Sequence, residues 1–436
     1  MTHFAVLAPP FPSHVRAIES LAKELLARGH RVSWVHLPEV QSLLRDSRIG
    51  FHPVGQAQAR HGTLAAIIDR AARPRGPFGL SRLIRDVANS TDMLCREAPA
   101  VLRRLGAEAV IADEMEAAGG LVARGLGLPF VSVACALPVH REPRVPLPVM
   151  HWGLARDEAG LHLNRHSTRV YDWLMRRHAR TIERHAATFR LGALRSLEDC
   201  VSPLALLSQT VEAFDFPRQS PPAHLHHVGP LRSPASEAKE EWPVRWAAPA
   251  GAPFVFASLG TLQGGRFGLL RRIARACRAE GAVLLLAHCD RLDATQAQAL
   301  QRAGATWVTG FAPQQEAIAR ADVVVTHAGL NTVMDALAAG KPMLLLPIAF
   351  DQPGVAARVV HAGAGVRLLP LLATVGALRR GLRQLLSDPR YGAQARTLGE
   401  HVRHAGGTVR AADLIERALQ PDASKPVAQA MTEVAA

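Results

Sequence analysis

Short apolar runs alternate with small-residue amphipathic stretches through most of the chain. Phe4 to Ala8 reads as a buried strand, and Val15, Ile18, Leu21, Ala22, Leu25 and Leu26 then share one face of a helix. Ser13 is the expected N-cap of that helix, and Arg28-Gly29 its expected ending. Val32 to Leu37 follows as a second strand, completing a right-handed βαβ unit. Residues 64 to 105 read as mostly helical, interrupted over Ala72 to Gly79. Ala109 to Asp113 and Pro129 to Ala134 are strands around a small-residue helix from Ala117 to Leu126. Thr168 to Arg190 reads as an amphipathic helix with Val170, Leu174, Ile182 and Phe189 among its apolar members. Leu204 to Gln209 and His226 to Leu231 close a first unit.

Residues 232–252 lose periodicity and become rich in Pro, Ala and Glu, as a linker does. The rhythm restarts at Phe254, with strands expected at Val283 to His288 and Ala305 to Gly310. It is clearest from Trp307 to Gln352, where the runs Val323 to Thr326 and Met343 to Leu346 end in polar residues. A parallel sheet binds ligands beyond the carboxyl ends of its strands, and these polar residues fall there. The expected architecture is α/β: a first domain over 1–231, the linker, a second domain over 253–419, and a frayed tail over 420–436. Two such domains enclose a cleft.

Length supports the division, because 436 residues exceed one ordinary hydrophobic core. The net charge of +14 raises the possibility of nucleic acid, but arginines are scattered and no nucleic-acid motif occurs. No nucleic-acid partner is expected. Residues 137–200 carry 11 arginines against 7 acids, which suits an acceptor wall or a membrane interface as well as a packed helix. Five dispersed cysteines without a CxxC pair suggest a reducing compartment. With neither a signal-peptide pattern nor an apolar run of membrane-spanning length, a cytoplasmic protein is expected, peripheral at most to the inner face of the membrane.

Candidate chemistry sits at the strand ends. The first strand-to-helix loop, APPFPSH, lacks GxGxxG, so a nicotinamide dinucleotide is not expected. His14 lies there in or near the first helical turn, where the helix dipole lowers a histidine's pKa and favours the neutral base. A surface or capping histidine is the plainer alternative. Asp113 could orient a histidine or cap the next helix, and its 99-residue separation from His14 leaves both readings open. Ser258, Gly260 and Thr261 form a turn able to meet a phosphate.

FAPQ (Phe311 to Gln314), HAGLNT (His327 to Thr332), Asp335, the proline-flanked run Pro342 to Pro347, and Asp351-Gln352 together resemble the donor signature of inverting GT-B nucleotide-sugar glycosyltransferases. The resemblance spans about 415 residues. It implies two Rossmann-like domains, UDP-glucose as donor substrate, no cofactor and no metal. Trp307 is similar to the aromatic that stacks on uracil, with Ala312 and Gln314 beside it. Asp335 stands where the family has a ribose-gripping glutamate. His327, Gly329, Asn331 and Thr332, with Ser258 and Thr261, resemble the diphosphate pocket, and Asp351 and Gln352 the sugar-hydroxyl contacts.

His14 and Asp113 match the family's base and its partner. Leu330 and Ala328 replace the Trp and Cys of plant members. Within the family, the N-terminal run from Thr2 to Val40 resembles bacterial zeaxanthin glucosyltransferases. That implies the ring hydroxyls of zeaxanthin as acceptor, glucosylated once and then twice. The same chemistry on a flavonoid, macrolide or sterol, a UDP-sugar epimerase, and a non-catalytic nucleotide-sugar binder are the alternatives.

Overall fold

The computed structural model describes residues 1–55, 63–72, 76–232, 246 and 251–420. The first unit contains β1 (His3–Leu7), α1 (Pro12–Ala27), β2 (Arg31–His36), β3 (Gly50–Pro53), α2 (Leu64–Ala72), α3 (Gly76–Leu105), β4 (Ala109–Asp113), α4 (Ala118–Gly125), β5 (Phe130–Ala134), α5 (Glu158–Thr188), β6 (Leu206–Ser208) and β7 (Leu225–His227). The second contains β8 (Phe254–Ser258), α6 (Gly260–Gln263), α7 (Phe267–Ala279), β9 (Val283–Ala287), α8 (Ala294–Ala303), β10 (Trp307–Thr309), α9 (Gln314–Arg320), β11 (Val323–Thr326), α10 (Leu330–Ala338), β12 (Met343–Leu345), α11 (Gln352–His361) and β13 (Gly365–Arg367). Helices α12 (Val375–Ser387), α13 (Pro389–Arg403) and α14 (Gly407–Leu419) complete the described chain.

Both sheets are parallel throughout. Their strand orders are β3-β2-β1-β4-β5-β6-β7 and β10-β9-β8-β11-β12-β13. The inner strands, such as β1, β4, β5 and β8, bury both faces, which is why the sequence shows continuous apolar runs there. In β1, Phe4 and Val6 join the core on one side while Ala5 and Leu7 join the core on the other. Phe254 and Phe256 alternate with Val255 and Ala257 in β8 in the same way. The order reverses between β1 and β4 in the first sheet and between β8 and β11 in the second. Those are the switch points where loops diverge and a ligand crevice opens.

Several local expectations change. Helix α1 begins with Pro12 in its first turn and has Phe11 as a cap without a side-chain bond, so Ser13 is inside the helix rather than its N-cap. Arg28 does end that helix, followed by Gly29 at φ +85°. Helix α5 starts ten residues before the expected Thr168, because Asp157 accepts from the Gly160 N–H at 2.8 Å and caps it. Its first turns bury only the polar Asn164, so a core-facing apolar periodicity does not mark them. The chain's last described helix, α14, packs on the first sheet: Ala411, Ala412 and Ile415 share a core with Phe4 and Ile18. Arg28 anchors it to Asp413 and Glu416 at 2.7 and 2.8 Å. A second domain running unbroken to 419 therefore does not describe the packing. The expected break over Ala72 to Gly79 is shorter, since α2 runs to Ala72 and α3 begins at Gly76. Residues 73–75, most of the expected linker and the tail beyond Gln420 lie outside the described residues.

Between the two sheets Arg358 is buried and donates through Nε to Asp215 Oδ1 at 2.6 Å, while Arg218 Nε reaches Asp215 Oδ2 at 2.8 Å. The Phe216 ring covers the Arg358 guanidinium at 4.5 Å. The two arginines hold the Asp215 carboxyl down to about 2 against the opposing effect of burial, so it stays charged.

Candidate active site

The two switch points face each other across one cavity of about 1940 Å³. On the first sheet, His14 follows β1 as the third residue of α1, and Asp113 ends the neighbouring β4. Their side chains meet, with His14 Nδ1 2.7 Å from Asp113 Oδ2. Asp113 is fully buried behind the imidazole, and its other oxygen accepts the Met115 N–H at 2.9 Å. With one nitrogen held, His14 keeps its second nitrogen for the cavity it lines.

Burial is the largest single influence on His14 and lowers its pKa. The charge and hydrogen bond of Asp113, helped by the charge of Asp351, outweigh it and raise the pKa above 6.5. This is opposite to the shift expected from the helix dipole alone, because a charge in direct contact exceeds half a charge spread over a helix end.

Cys135 completes this corner. The nearest ligand atoms of His14, Asp113 and Cys135 lie within 4.8 Å of one another. Burial above all, then Asp113, pushes the Cys135 thiol well above its usual pKa. A protonated thiol and an imidazole already committed to a carboxylate make a poor metal cage. The thiol is a neutral neighbour that sequence reasoning does not single out.

On the second sheet His327 follows β11 and packs between two glycines. A Cβ on Gly260 would come within 2.6 Å of the ring and one on Gly329 within 2.5 Å. Gly260 also has φ +72°, so no other residue suits that turn. Burial brings the His327 pKa down to about 4, making it a neutral hydrogen-bonding group at pH 7 rather than the cation a diphosphate would attract most strongly. Gly329 caps α10, and Asn331 and Thr332 stand in its first turn, where backbone N–H groups have no intrahelical acceptor. Thr261, Gly329, Asn331 and Thr332 all line the cavity. Four of the five positive-φ residues other than glycine among the described residues, Cys289, Asp290, Ala328 and Phe350, lie on loops at this edge. Such conformations cost about 1–3 kcal/mol each and concentrate at functional sites.

Asp335 is engaged on both oxygens: Arg232 Nε reaches Oδ1 at 3.1 Å and Gln314 Nε2 reaches Oδ2 at 2.8 Å. Arg232 also donates to the Asn331 carbonyl at 3.1 Å. It comes from the end of the first unit and lines the cavity, a position that periodicity and motif spacing do not reveal. Ala312 lies on the same wall.

Asp351 and Gln352 line the cavity too, each with a prior attachment. Asp351 Oδ2 accepts the Leu137 N–H at 3.3 Å, tying the two halves together, and burial raises its pKa. Gln352 Oε1 accepts both the Ile348 and Ala349 N–H groups at 2.9 Å, leaving its NH₂ as the group able to reach a ligand. Asn331 bridges the halves again through the Ser13 carbonyl at 3.4 Å.

Two expected contacts fall elsewhere. Ser258 is buried at the end of β8, receives the Gly260 N–H at 3.3 Å, and does not line the cavity. Trp307 begins β10, and its ring packs edge-on against Phe254 at 6.3 Å, away from the carboxyl end of the sheet. Phe311, immediately before Ala312-Pro313-Gln314, does line the cavity and is 62% exposed. Its place beyond the strand end is the signal that distinguishes it from Trp307.

From His14 the cavity extends along the first unit past Leu83, Ile84, Leu174, Met175 and Ile182. One space thus joins a polar pocket at the second sheet, a histidine–carboxylate pair, and an apolar arm.

The model of the family described as UDP-glucoronosyl and UDP-glucosyl transferase matches residues 165–405. A zeaxanthin glucosyltransferase of Pantoea ananas is 46% identical over 419 residues, covering 96% of each chain. One from Pseudescherichia vulneris is 46% identical over 425 residues, covering 96% of this chain and 98% of its own. The crystal structure of the glycotransferase of kitacinnamycin superposes with a TM-score of 0.73 at 23% identity, covering 96% of this chain and 99% of that one, a likeness of fold. With its two facing Rossmann-like domains in the GT-B arrangement, the chain belongs to the UDP-glucoronosyl and UDP-glucosyl transferase family.

Proposed function

We propose that the protein transfers glucose from UDP-glucose, with inversion, to the ring hydroxyls of zeaxanthin, giving a mono- and then a diglucoside. The observation that carries this reading is the single cavity that joins the donor-side residues, the His14–Asp113 pair and the apolar arm. The two relatives named zeaxanthin glucosyltransferase support the choice of acceptor and of the sugar transferred, and the family's description supports UDP as the carrier.

In this reading the acceptor lies in the apolar arm with its hydroxyl against the free nitrogen of His14. The imidazole takes the hydroxyl proton as the oxygen bonds to the anomeric carbon, and the bond from that carbon to UDP breaks. Asp113 stabilises the resulting imidazolium. The N–H groups opening α10 and the neutral His327 meet the departing diphosphate. Phe311 lies against the base, Asp335 with Arg232 and Gln314 faces the ribose, and Asp351 with the Gln352 NH₂ orients the sugar. His14 acts from the first sheet while UDP is held on the second, so attack and departure take place on opposite faces of the anomeric carbon. A single displacement inverts its configuration.

The test is product analysis by mass and by the anomeric proton coupling. Purified protein is given UDP-glucose with detergent-dispersed zeaxanthin, a flavonoid, a macrolide aglycone and a sterol in parallel. The reading expects β-glucosides of zeaxanthin in preference to the others. Efficient transfer to another alcohol alone would replace the acceptor, and α-linked product would exclude the single displacement.

A further inference from the structure

Helix α5 carries apolar residues on two sides. Leu174, Met175 and Ile182 line the apolar arm of the cavity. Outside, Val170 and Trp173 are 57% and 61% exposed, and Leu163 is exposed with them. With His166 and Arg177, these positions recur every three or four residues and so form one stripe. Val170 also lines the cavity, so the stripe reaches the edge of that space. Exposed apolar stripes of this kind mark interaction surfaces.

The surrounding charge is one-sided. Exposed along α5 are Arg165, Arg169, Arg176, Arg177, Arg180 and Arg184, against Glu158 and Asp172. Asp172 is taken by Arg141 at 2.8 Å. Arg169, Arg177 and Arg180 form no ion pair with any described residue. Arg176 lies over the Trp173 ring, 4.2 Å from its centroid. Arginines flanking a tryptophan and aliphatic side chains suit the boundary between anionic headgroups and acyl chains. A nucleic-acid backbone would leave Leu163 and Val170 without partners. Among the described residues no helix is long and apolar enough to cross a membrane, so any such contact is with the surface.

We propose that this face of α5 docks on an anionic lipid bilayer, with the cavity edge at Val170 turned toward the acyl chains so that a lipophilic acceptor enters without crossing water. The proposal rests on the reading that the acceptor is a hydrophobic alcohol.

Co-sedimentation of the full chain with vesicles tests it, comparing phosphatidylcholine alone with an equal mixture of phosphatidylcholine and phosphatidylglycerol. The mixed vesicles should bind the protein, less so as salt rises. Arg169→Gln with Arg177→Gln should weaken that binding roughly 30-fold, about fivefold for each arginine. Leu163→Ser with Trp173→Ser should weaken the binding that persists at high salt. None of these four residues lines the cavity, so transfer to a water-soluble alcohol should stay at the wild-type rate, which also verifies folding.

Equal, weak sedimentation with both vesicles would overturn the proposal, as would wild-type binding by both variants. So would loss of binding in Leu371→Ser with Leu372→Ser alone, since that exposed turn lies on the second unit. Retention of single-stranded RNA without vesicle binding would favour nucleic acid instead. Glucosylation of detergent-dispersed acceptor without vesicle binding refutes docking and leaves the functional reading intact. Vesicle binding without transfer to any hydrophobic alcohol refutes the functional reading instead.

Discussion

The His14 imidazole is held by Asp113 at 2.7 Å because β1 and β4 are neighbours at the point where the first sheet reverses its strand order. The contact leaves a raised pKa on a group that must be neutral to accept a proton. Activity therefore falls with decreasing pH as the imidazole becomes protonated, and this limb lies above the ordinary 6.5. Asp113→Asn removes the charge that raises the pKa and leaves the burial that lowers it. The acidic limb of kcat/KM should move to lower pH, while the plateau falls about 10²-fold because the imidazolium loses its partner. A pH–rate profile for both proteins measures this; an unmoved limb would mean that another group titrates.

Phe311 and Trp307 should separate cleanly. Phe311→Ala should raise the KM for UDP-glucose about tenfold, within the roughly 1–3 kcal/mol that an aromatic gives a stacked base. Trp307→Ala should instead cost about 2 kcal/mol of stability through lost packing on Phe254, with donor KM nearly unchanged. Urea unfolding alongside initial rates checks both.

Strand positions are legible because parallel strands buried on both faces leave apolar runs bounded by turn residues. His14 is legible as a loop residue, but its pairing with Asp113 depends on which strands are neighbours, which local pattern does not encode. Trp307 draws attention as a large aromatic. Only the end of β10 at Thr309 shows that it precedes the crevice edge and Phe311 follows it. Arg232 against Asp335, Leu137 against Asp351, and Arg358 against Asp215 all require the two halves to be docked. Their signals lie in packing between sequence-distant elements. The early start of α5 is hidden because its cap, Asp157, precedes turns in which the one buried side chain is the polar Asn164.

Gln352 has divided duties, which predicts a split between two variants. Gln352→Glu keeps an oxygen for the Ile348 and Ala349 N–H groups and loses the NH₂. It should still fold, and show a donor KM raised about tenfold, the equivalent of one hydrogen bond to the sugar. Gln352→Leu strands two buried donors and should lower stability by about 2 kcal/mol as well. Thermal melts and donor titrations distinguish the two.

Arg358→Ala leaves Asp215 buried with one of its two arginines gone. Loss of a buried partner costs about 3–5 kcal/mol. Unfolding in urea should show that loss, with the midpoint moving down at unchanged slope. A change below about 1 kcal/mol would mean that Arg218 alone satisfies the carboxylate.

The central claim is that His14 is the base in a glucosyl transfer whose donor is held by the opposite sheet. Its most direct test is the turnover of His14→Ala with saturating UDP-glucose and a hydroxylated hydrophobic acceptor, measured beside UDP affinity. The account predicts a fall of about 10²–10⁴-fold in kcat with UDP binding preserved. Near wild-type turnover by the variant would contradict it.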